Sequence, residues 1–170
     1  MDRRRSLRLI TAGSMVALAV GCTPAAEAPP PVDATAHEAA AAALWPRYGD
    51  AVLAANLEGV MTLYSDMATV DVKGFPPMDK PALMKLLGEL FATTRTTEFT
   101  VTPEYTHVVG EGLVHQAGRY REATVPTGEA AATGKPMTEY GRFAGALVRE
   151  ADGQWRIMYL MAFTDSTVTR

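Results

Sequence analysis

Two histidines on either side of a glycine-rich turn are placed to do chemistry if the turn brings them to one face. His107 and His115 flank Gly110-Glu111-Gly112, which reads as the turn of a β-hairpin. If the loop comprises those three residues, Val109 faces Leu113 and His107 faces His115 on one sheet face, with Cβ atoms about 5 Å apart. A two-residue loop places them on opposite faces instead. Facing imidazoles can share a proton or begin a metal site. A catalytic metal takes about three protein ligands, however, and no third ligand stands at a matching spacing, nor is there an HExxH. The sequence therefore predicts no metal. No P-loop, GxGxxG or GxSxG occurs, and no cofactor is expected.

Other side chains are less specific. Tyr105, Tyr120, Tyr140, Trp155, Tyr159 and Phe163 sit on alternating segments, where they either line an apolar hollow or fill a core. Arg119, Arg121, Arg142 and Arg156 can face an acidic ligand, or can be solvated strand positions paired with Glu104, Glu122 or Glu139.

The elements that hold these residues change period along the chain. Thr35-x-x-Glu38 has capping-box spacing before an alanine-rich run. Leu44, Tyr48, Ala51 and Ala55 then recur at helical spacing. Pro46 either kinks one long helix or lies in the first turn of a second. Leu57, Val60, Met61 and Tyr64 mark a short helix after Asn56, and 68–73 is β-rich. Asp79 caps a helix through Thr93 that turns Leu83, Leu86, Leu87, Leu90 and Phe91 inward. From Thr96 the period is two, giving four antiparallel strands, the last pair joined at Asp152-Gly153. In the final strand Trp155, Ile157, Tyr159, Met161 and Phe163 share one face, and Met158, Leu160 and Ala162 make the other apolar too. Such a strand is covered on both sides, which predicts a homodimer through the outer sheet face, or packing against another protein.

The chain has 170 residues, 48% of them apolar, and one cysteine, with a formal charge of −3. That length suits one compact core. Residues 1–21 hold four arginines and one aspartate, so the rest of the chain carries −6. An acidic domain disfavours nucleic acid and anionic membrane as partners, because both demand a basic patch. The basic cluster Arg3, Arg4, Arg5 and Arg8 precedes an apolar run from Leu9 to Val20, the plan of a signal peptide. Ala19-Val20-Gly21-Cys22 resembles a bacterial lipoprotein lipobox, with Ala19 where leucine is usual. The resemblance implies cleavage before Cys22, lipidation of its sulfur and of the new N-terminus, and a membrane contact made only through that lipid. The expected location is the bacterial cell envelope, facing the periplasm from the outer membrane in a Gram-negative host. Residues 22–36, rich in proline and alanine, form a tether, and 37–170 the folded domain.

Three stretches carry a wider resemblance. Arg47-Tyr48 through Leu57-Glu58-Gly59-Val60, then Leu63-Tyr64-Ser65-Asp66-Met67-Ala68-Thr69-Val70, and the ending Asp152-Gly153-Gln154-Trp155-Arg156-Ile157 are similar to the nuclear transport factor 2-like superfamily, in its SnoaL-like and ketosteroid-isomerase-like branch. The resemblance implies an α+β fold, a strongly bent, mixed, mostly antiparallel sheet wrapped round three N-terminal helices as a cystatin-like cone. Its mouth would take a small apolar ligand, with Tyr48, Val72, Tyr105, Tyr120, Tyr140, Trp155 and Tyr159 as candidate lining. The fold hosts isomerases, dehydratases, hydrolases and pure binders, so function rests on the site. Tyr48 matches the tyrosine that, in ketosteroid isomerases, donates a hydrogen bond to the developing enolate. The matching base position falls on Val72, not on Asp71, and the second acid would fall within 143–148, where there is none. The expectation is therefore an envelope lipoprotein that binds a small apolar molecule or a partner envelope protein without catalysis. The alternative is a cofactor-independent isomerase, dehydratase or hydrolase of small cyclic or polyketide-like compounds, with Tyr48 and either His107 or His115 as acid-base groups.

Overall fold

The computed structural model describes residues 33–170, so the expected signal peptide, Cys22 and most of the expected tether lie outside the described residues. The helices are α1 (Ala34–Ala42), α2 (Leu44–Leu53), α3 (Leu57–Met61) and α4 (Lys80–Thr93). The strands are β1 (Tyr64–Val72), β2 (Met78–Asp79), β3 (Thr94–Gly110), β4 (Leu113–Pro126), β5 (Met137–Arg149) and β6 (Trp155–Thr169). They form one sheet of order β2-β1-β6-β5-β4-β3, parallel only between β1 and β6. The class is α+β, a mixed, mostly antiparallel sheet wrapped round helices, as the sequence predicts.

Local chemistry sets the helix ends. Asp33, not Thr35, caps α1 by accepting from the Ala36 N–H at 3.0 Å, so the helix starts inside the stretch assigned to the tether. Pro46 has no N–H to offer the carbonyl of Ala42, and the chain breaks at Ala43 into two helices, with Pro46 in the first turn of α2. Asp79 caps α4 as expected, accepting from Ala82 N–H at 2.9 Å. Tyr64 lies on β1, not on the preceding helix. The Lys80 ammonium donates to its carbonyl at 2.9 Å and to Asp66 at 2.8 Å, holding the strand's first turn against α4.

Bulges bend the sheet. The β3–β4 register shifts at Thr96/Glu98, Pro103/Tyr105 and Val108/Gly110, and each extra residue adds local twist. Glycines opposite rings complete the curvature. Gly118 pairs with Phe143, and Gly141 with Tyr120; the Tyr120 ring covers Gly141, whereas the β3 backbone at Thr102–Glu104 crowds Gly118. A Cβ at Gly141 would lie 2.4 Å from the Tyr120 ring and 2.3 Å from the Phe163 carbonyl. A further shift, between Ala146 and Leu147, leaves Met158 unpaired on β6. It corrects the expected single face: Trp155 and Ile157 point to the core, but beyond the bulge Leu160, Ala162 and Thr164 take that side. Tyr159, Met161 and Phe163 pass to the outer one.

The core lies where α1–α3 meet β1, β4, β5 and β6, around Leu44, Val60, Tyr64, Val70, Val114, Leu147 and Ile157, all under 2% exposed. Leu86, Leu87 and Phe91 on α4 are only half-buried. They wall an open hollow and are not packed into the centre.

Candidate functional site

A cavity of about 410 Å³ opens between α2, α4 and the concave face of β3–β6. Its walls are mostly apolar: Val52, Val70, Val72, Leu83, Leu86, Phe91, Phe99 and Val101 among them. Two phenols stand in the buried wall. Tyr48 sits one helical turn beyond Leu44, on the same α2 stripe as Trp45, which directs it at the sheet. Tyr64 is the first residue of β1, and its hydroxyl donates to the Tyr48 hydroxyl at 3.3 Å. The two rings meet edge to face at 6.1 Å, and the Tyr48 ring lies 5.6 Å from Phe99. Because Tyr48 accepts from Tyr64, its own O–H remains free to point elsewhere.

Facing these phenols is a carboxylate. On β4, Val114, Gln116, Gly118, Tyr120, Glu122 and Thr124 share one parity, and Tyr120, Glu122 and Thr124 line the cavity. Glu122 Oε1 accepts from the Thr96 hydroxyl at 3.0 Å. Burial pushes the Glu122 carboxyl above its ordinary value; the Thr96 hydrogen bond works against this, and the nearby Glu139 charge adds to it. Burial likewise raises Tyr48, with the Tyr64 hydrogen bond opposing and the Glu122 charge adding, and raises Tyr64 further. Both phenols are therefore neutral hydrogen-bond donors at physiological pH. Tyr120 also lines the wall, its hydroxyl 3.0 Å from Thr164 Oγ1.

Such an arrangement can do acid-base work on an apolar molecule. A desolvated carboxylate is a stronger base than one in water, and a phenol in an apolar pocket stabilises an oxyanion as it forms. The expected absence of an ionisable group beside Tyr48 is thereby corrected. Glu122 was legible only as a partner for an outward arginine, yet Arg121 is its neighbour, and strand alternation turns the two side chains to opposite faces. The parity of Tyr120 and Glu122 was the available signal.

The other candidates divide cleanly. Tyr48, Val72 and Tyr120 line the cavity, whereas Asp71, next to Val72, does not. His107 and His115 are register partners, as a three-residue loop predicted. They reach that pairing through a two-residue turn, Glu111-Gly112, with Val109 inserted as a bulge. Both are exposed on the outer face, so neither can exchange a proton with the cavity. Tyr105, 77% exposed, and Tyr140, which lies 5.8 Å beneath the Arg121 guanidinium, are outer-face residues too. Tyr159 joins them beyond the β6 bulge. Trp155 is buried at the closed end, edge-on to His37 at 5.6 Å, outside the cavity. The arginines pair on the outside: Arg119 with Glu104 at 3.0 Å, Arg121 with Glu98, Arg142 with Asp165 at 2.7 Å, and Arg156 with Asp152 at 2.6 Å and with Glu150. Among the described residues no group of three His, Cys, Asp or Glu side chains could hold a metal ion. No helix among them is long and apolar enough to cross a membrane.

No protein-family model matches the chain, and no curated protein sequence does. Solved structures do. A ketosteroid isomerase-like protein from Erwinia carotovora atroseptica SCRI1043 superposes with a TM-score of 0.65 at 17% identity, covering 75% of this chain and 95% of that one. The hexachlorocyclohexane dehydrochlorinase LinA-type3 from Novosphingobium barchaimii LL02 gives 0.65 at 13% identity, over 80% and 91%. A candidate scytalone dehydratase from Novosphingobium aromaticivorans DSM 12444 gives 0.63 at 17% identity, over 80% and 89%. At these identities the likeness shows a shared fold, the cone of nuclear transport factor 2-like proteins.

Proposed function

We propose that the domain is a cofactor-independent isomerase or lyase acting on a neutral, ring-sized apolar compound, in place of the non-catalytic binder that the sequence favoured. The observation that carries this is Glu122, a desolvated carboxylate held in the same apolar cavity as the Tyr48 hydroxyl. In the proposed step Glu122 takes a proton from a carbon next to a carbonyl, or next to a carbon that bears a leaving group. The C–H electron pair moves into a new double bond. Either the carbonyl oxygen gains charge, stabilised by the Tyr48 O–H, or the leaving group departs with the electrons. Glu122, now protonated, returns the proton to another carbon or to the departing oxygen. Structures sharing the fold carry the names of an isomerase-like protein, a dehydrochlorinase and a dehydratase, in keeping with such chemistry.

Deuterium exchange tests it directly. In D₂O, 2-tetralone and cyclohex-2-enone should acquire deuterium at the acidic carbon faster with the protein than without. A positioned general base contributes about 10²–10⁴-fold, so Glu122→Gln should remove most of the acceleration while leaving the circular dichroism unchanged. Equal exchange by wild type and Glu122→Gln returns the domain to the binder class.

We infer the address and the assembly from the sequence. Lipidation at Cys22 would hold the domain at the bacterial envelope; a clickable fatty acid should label the wild type and not Cys22→Ser. A second copy would cover the outer sheet face, where Arg119 and Arg142 stand beside Glu104 and Asp165, a mixture of charges that can complement itself across a two-fold axis. Light scattering should then report a dimer that Tyr105→Glu weakens.

A further inference from the structure

Glu122 and Glu139 are register partners across the β4–β5 ladder, and both line the cavity. Directly opposed side chains on one face of an antiparallel pair have Cβ atoms about 4.5–5.5 Å apart, and like charges so placed are destabilising. Elsewhere in this sheet the same conflict is relieved. Arg119 and Arg142 also oppose each other, and each has its own carboxylate, Glu104 and Asp165. Glu122 and Glu139 have no such relief: neither belongs to an ion pair among the described residues, and the one side-chain donor to Glu122 is the neutral Thr96 hydroxyl. The other polar groups lining the cavity are Tyr48 from α2, Tyr64 and Lys73 from β1 and its following turn, Thr94 and Thr96 from β3, Tyr120 and Thr124 from β4 and Thr164 from β6. Lys73 is the one cationic side chain in the cavity wall, and it forms no ion pair with either carboxylate.

We propose that Glu122 and Glu139 form a coupled dyad, with Glu139 the positioning residue whose carboxylate, opposite Glu122 across the ladder, makes Glu122 the stronger base. Two carboxylates in one partly desolvated site repel when both are ionised. A proton on Glu122 relieves that repulsion. A substrate that is itself anionic is disfavoured, whereas a neutral one is not. In turnover the ionised Glu122 accepts the substrate proton, the charge on the dyad falls by one, and the same proton leaves Glu122 for the product.

The dyad rests on Glu122 being the base, but it has an observable of its own. With ¹³C-carboxyl-labelled glutamate, NMR titration of the protein should show two coupled steps, one of them above the ordinary carboxylate range. In Glu139→Gln the Glu122 midpoint should fall toward the ordinary carboxylate value, and Glu139→Asp should restore much of the coupling. The deuterium-exchange rate of Glu139→Gln should reach half its maximum at correspondingly lower pH. An identical Glu122 titration in wild type and in both variants overturns the dyad, even where Glu122→Gln abolishes exchange. Coupled titrations without any Glu122-dependent exchange leave the pair standing and remove the catalytic role. Should Glu139→Gln fold poorly, Glu139→Ala serves for the same titration.

Discussion

Trp45 and Gln116, 71 positions apart, are joined by a buried hydrogen bond of 2.7 Å from the indole N–H to the side-chain oxygen of Gln116. Gln116 in turn donates to the Thr106 hydroxyl at 3.2 Å, so one amide ties α2 to β4 and β4 to β3. Gln116 is 2% exposed and Trp45 4%. Gln116→Leu therefore strands a buried N–H, which costs about 1–3 kcal/mol. Trp45→Phe with Gln116→Leu should cost less than the sum of the two single changes, because Trp45→Phe removes the donor that Gln116→Leu leaves unpaired. Urea midpoints of the four proteins measure this.

Ala55 predicts the opposite sign. It has φ +48°, the left-handed region, at the end of α2. There the Ala55 N–H bonds the Val52 carbonyl and the Asn56 N–H bonds the Ala51 carbonyl, the pair of bonds that closes a helix in the Schellman manner. Glycine adopts this conformation without a Cβ clash, whereas alanine is strained in it by about 1–2 kcal/mol. Glycine's greater freedom in the unfolded chain offsets part of that gain. Ala55→Gly should still raise stability by about 0.5–1 kcal/mol, read as a higher melting temperature.

Much of the fold was legible because local signals agreed with the tertiary structure. Asp79 before a leucine-rich run, and the switch to period two after Thr96, each name an element and its start. Gly118-Arg119-Tyr120 and Gly141-Arg142-Phe143 repeat a glycine-arginine-aromatic pattern whose meaning lies only in the strand register. In three dimensions each glycine faces the other segment's ring. What periodicity could not reach was parity across bulges. One unpaired residue in β6 sends Tyr159 outward, and one in β3 restores the histidine pairing that a two-residue turn would otherwise undo. The site was misread for a related reason. A glutamate among arginines reads as a salt-bridge partner until strand alternation is followed through Tyr120 to Glu122.

The raised Glu122 carboxyl makes stability depend on pH with a definite sign. Its folded value lies above the ordinary 4.5, with burial the main cause. Between those two values the folded protein binds more protons than the unfolded chain, so stability falls as pH rises through that interval. Below about pH 4.5 the penalty is absent, and above the folded value it is complete. Glu122→Gln should thus be more stable than wild type at neutral pH, while keeping an acceptor for Thr96. The difference should vanish in acid. Denaturation curves from pH 4 to pH 8 for both proteins test it, and a difference that grows toward low pH would refute the assignment.

The two phenols should respond unequally, because the hydrogen bond between them has a direction. Tyr64 donates and Tyr48 accepts, and Tyr64 is 1% exposed. Tyr48→Phe leaves the Tyr64 hydroxyl buried without its acceptor, a loss of about 1–3 kcal/mol. In the proposed step it also removes the O–H that would face the developing charge, which costs about 10²–10³-fold in rate at comparable oxyanion sites. Tyr64→Phe leaves Tyr48 free to donate into the cavity and removes only one hydrogen bond, a cost of about 0.5–1.5 kcal/mol. Its effect on exchange should therefore be the smaller one, about tenfold or less, since Tyr48 loses a polarising neighbour and not its proton. If Tyr64→Phe abolishes exchange and Tyr48→Phe spares it, the roles of donor and support are reversed. Measuring both variants against 2-tetralone, with thermal melts alongside, separates loss of the charge-stabilising group from loss of structure.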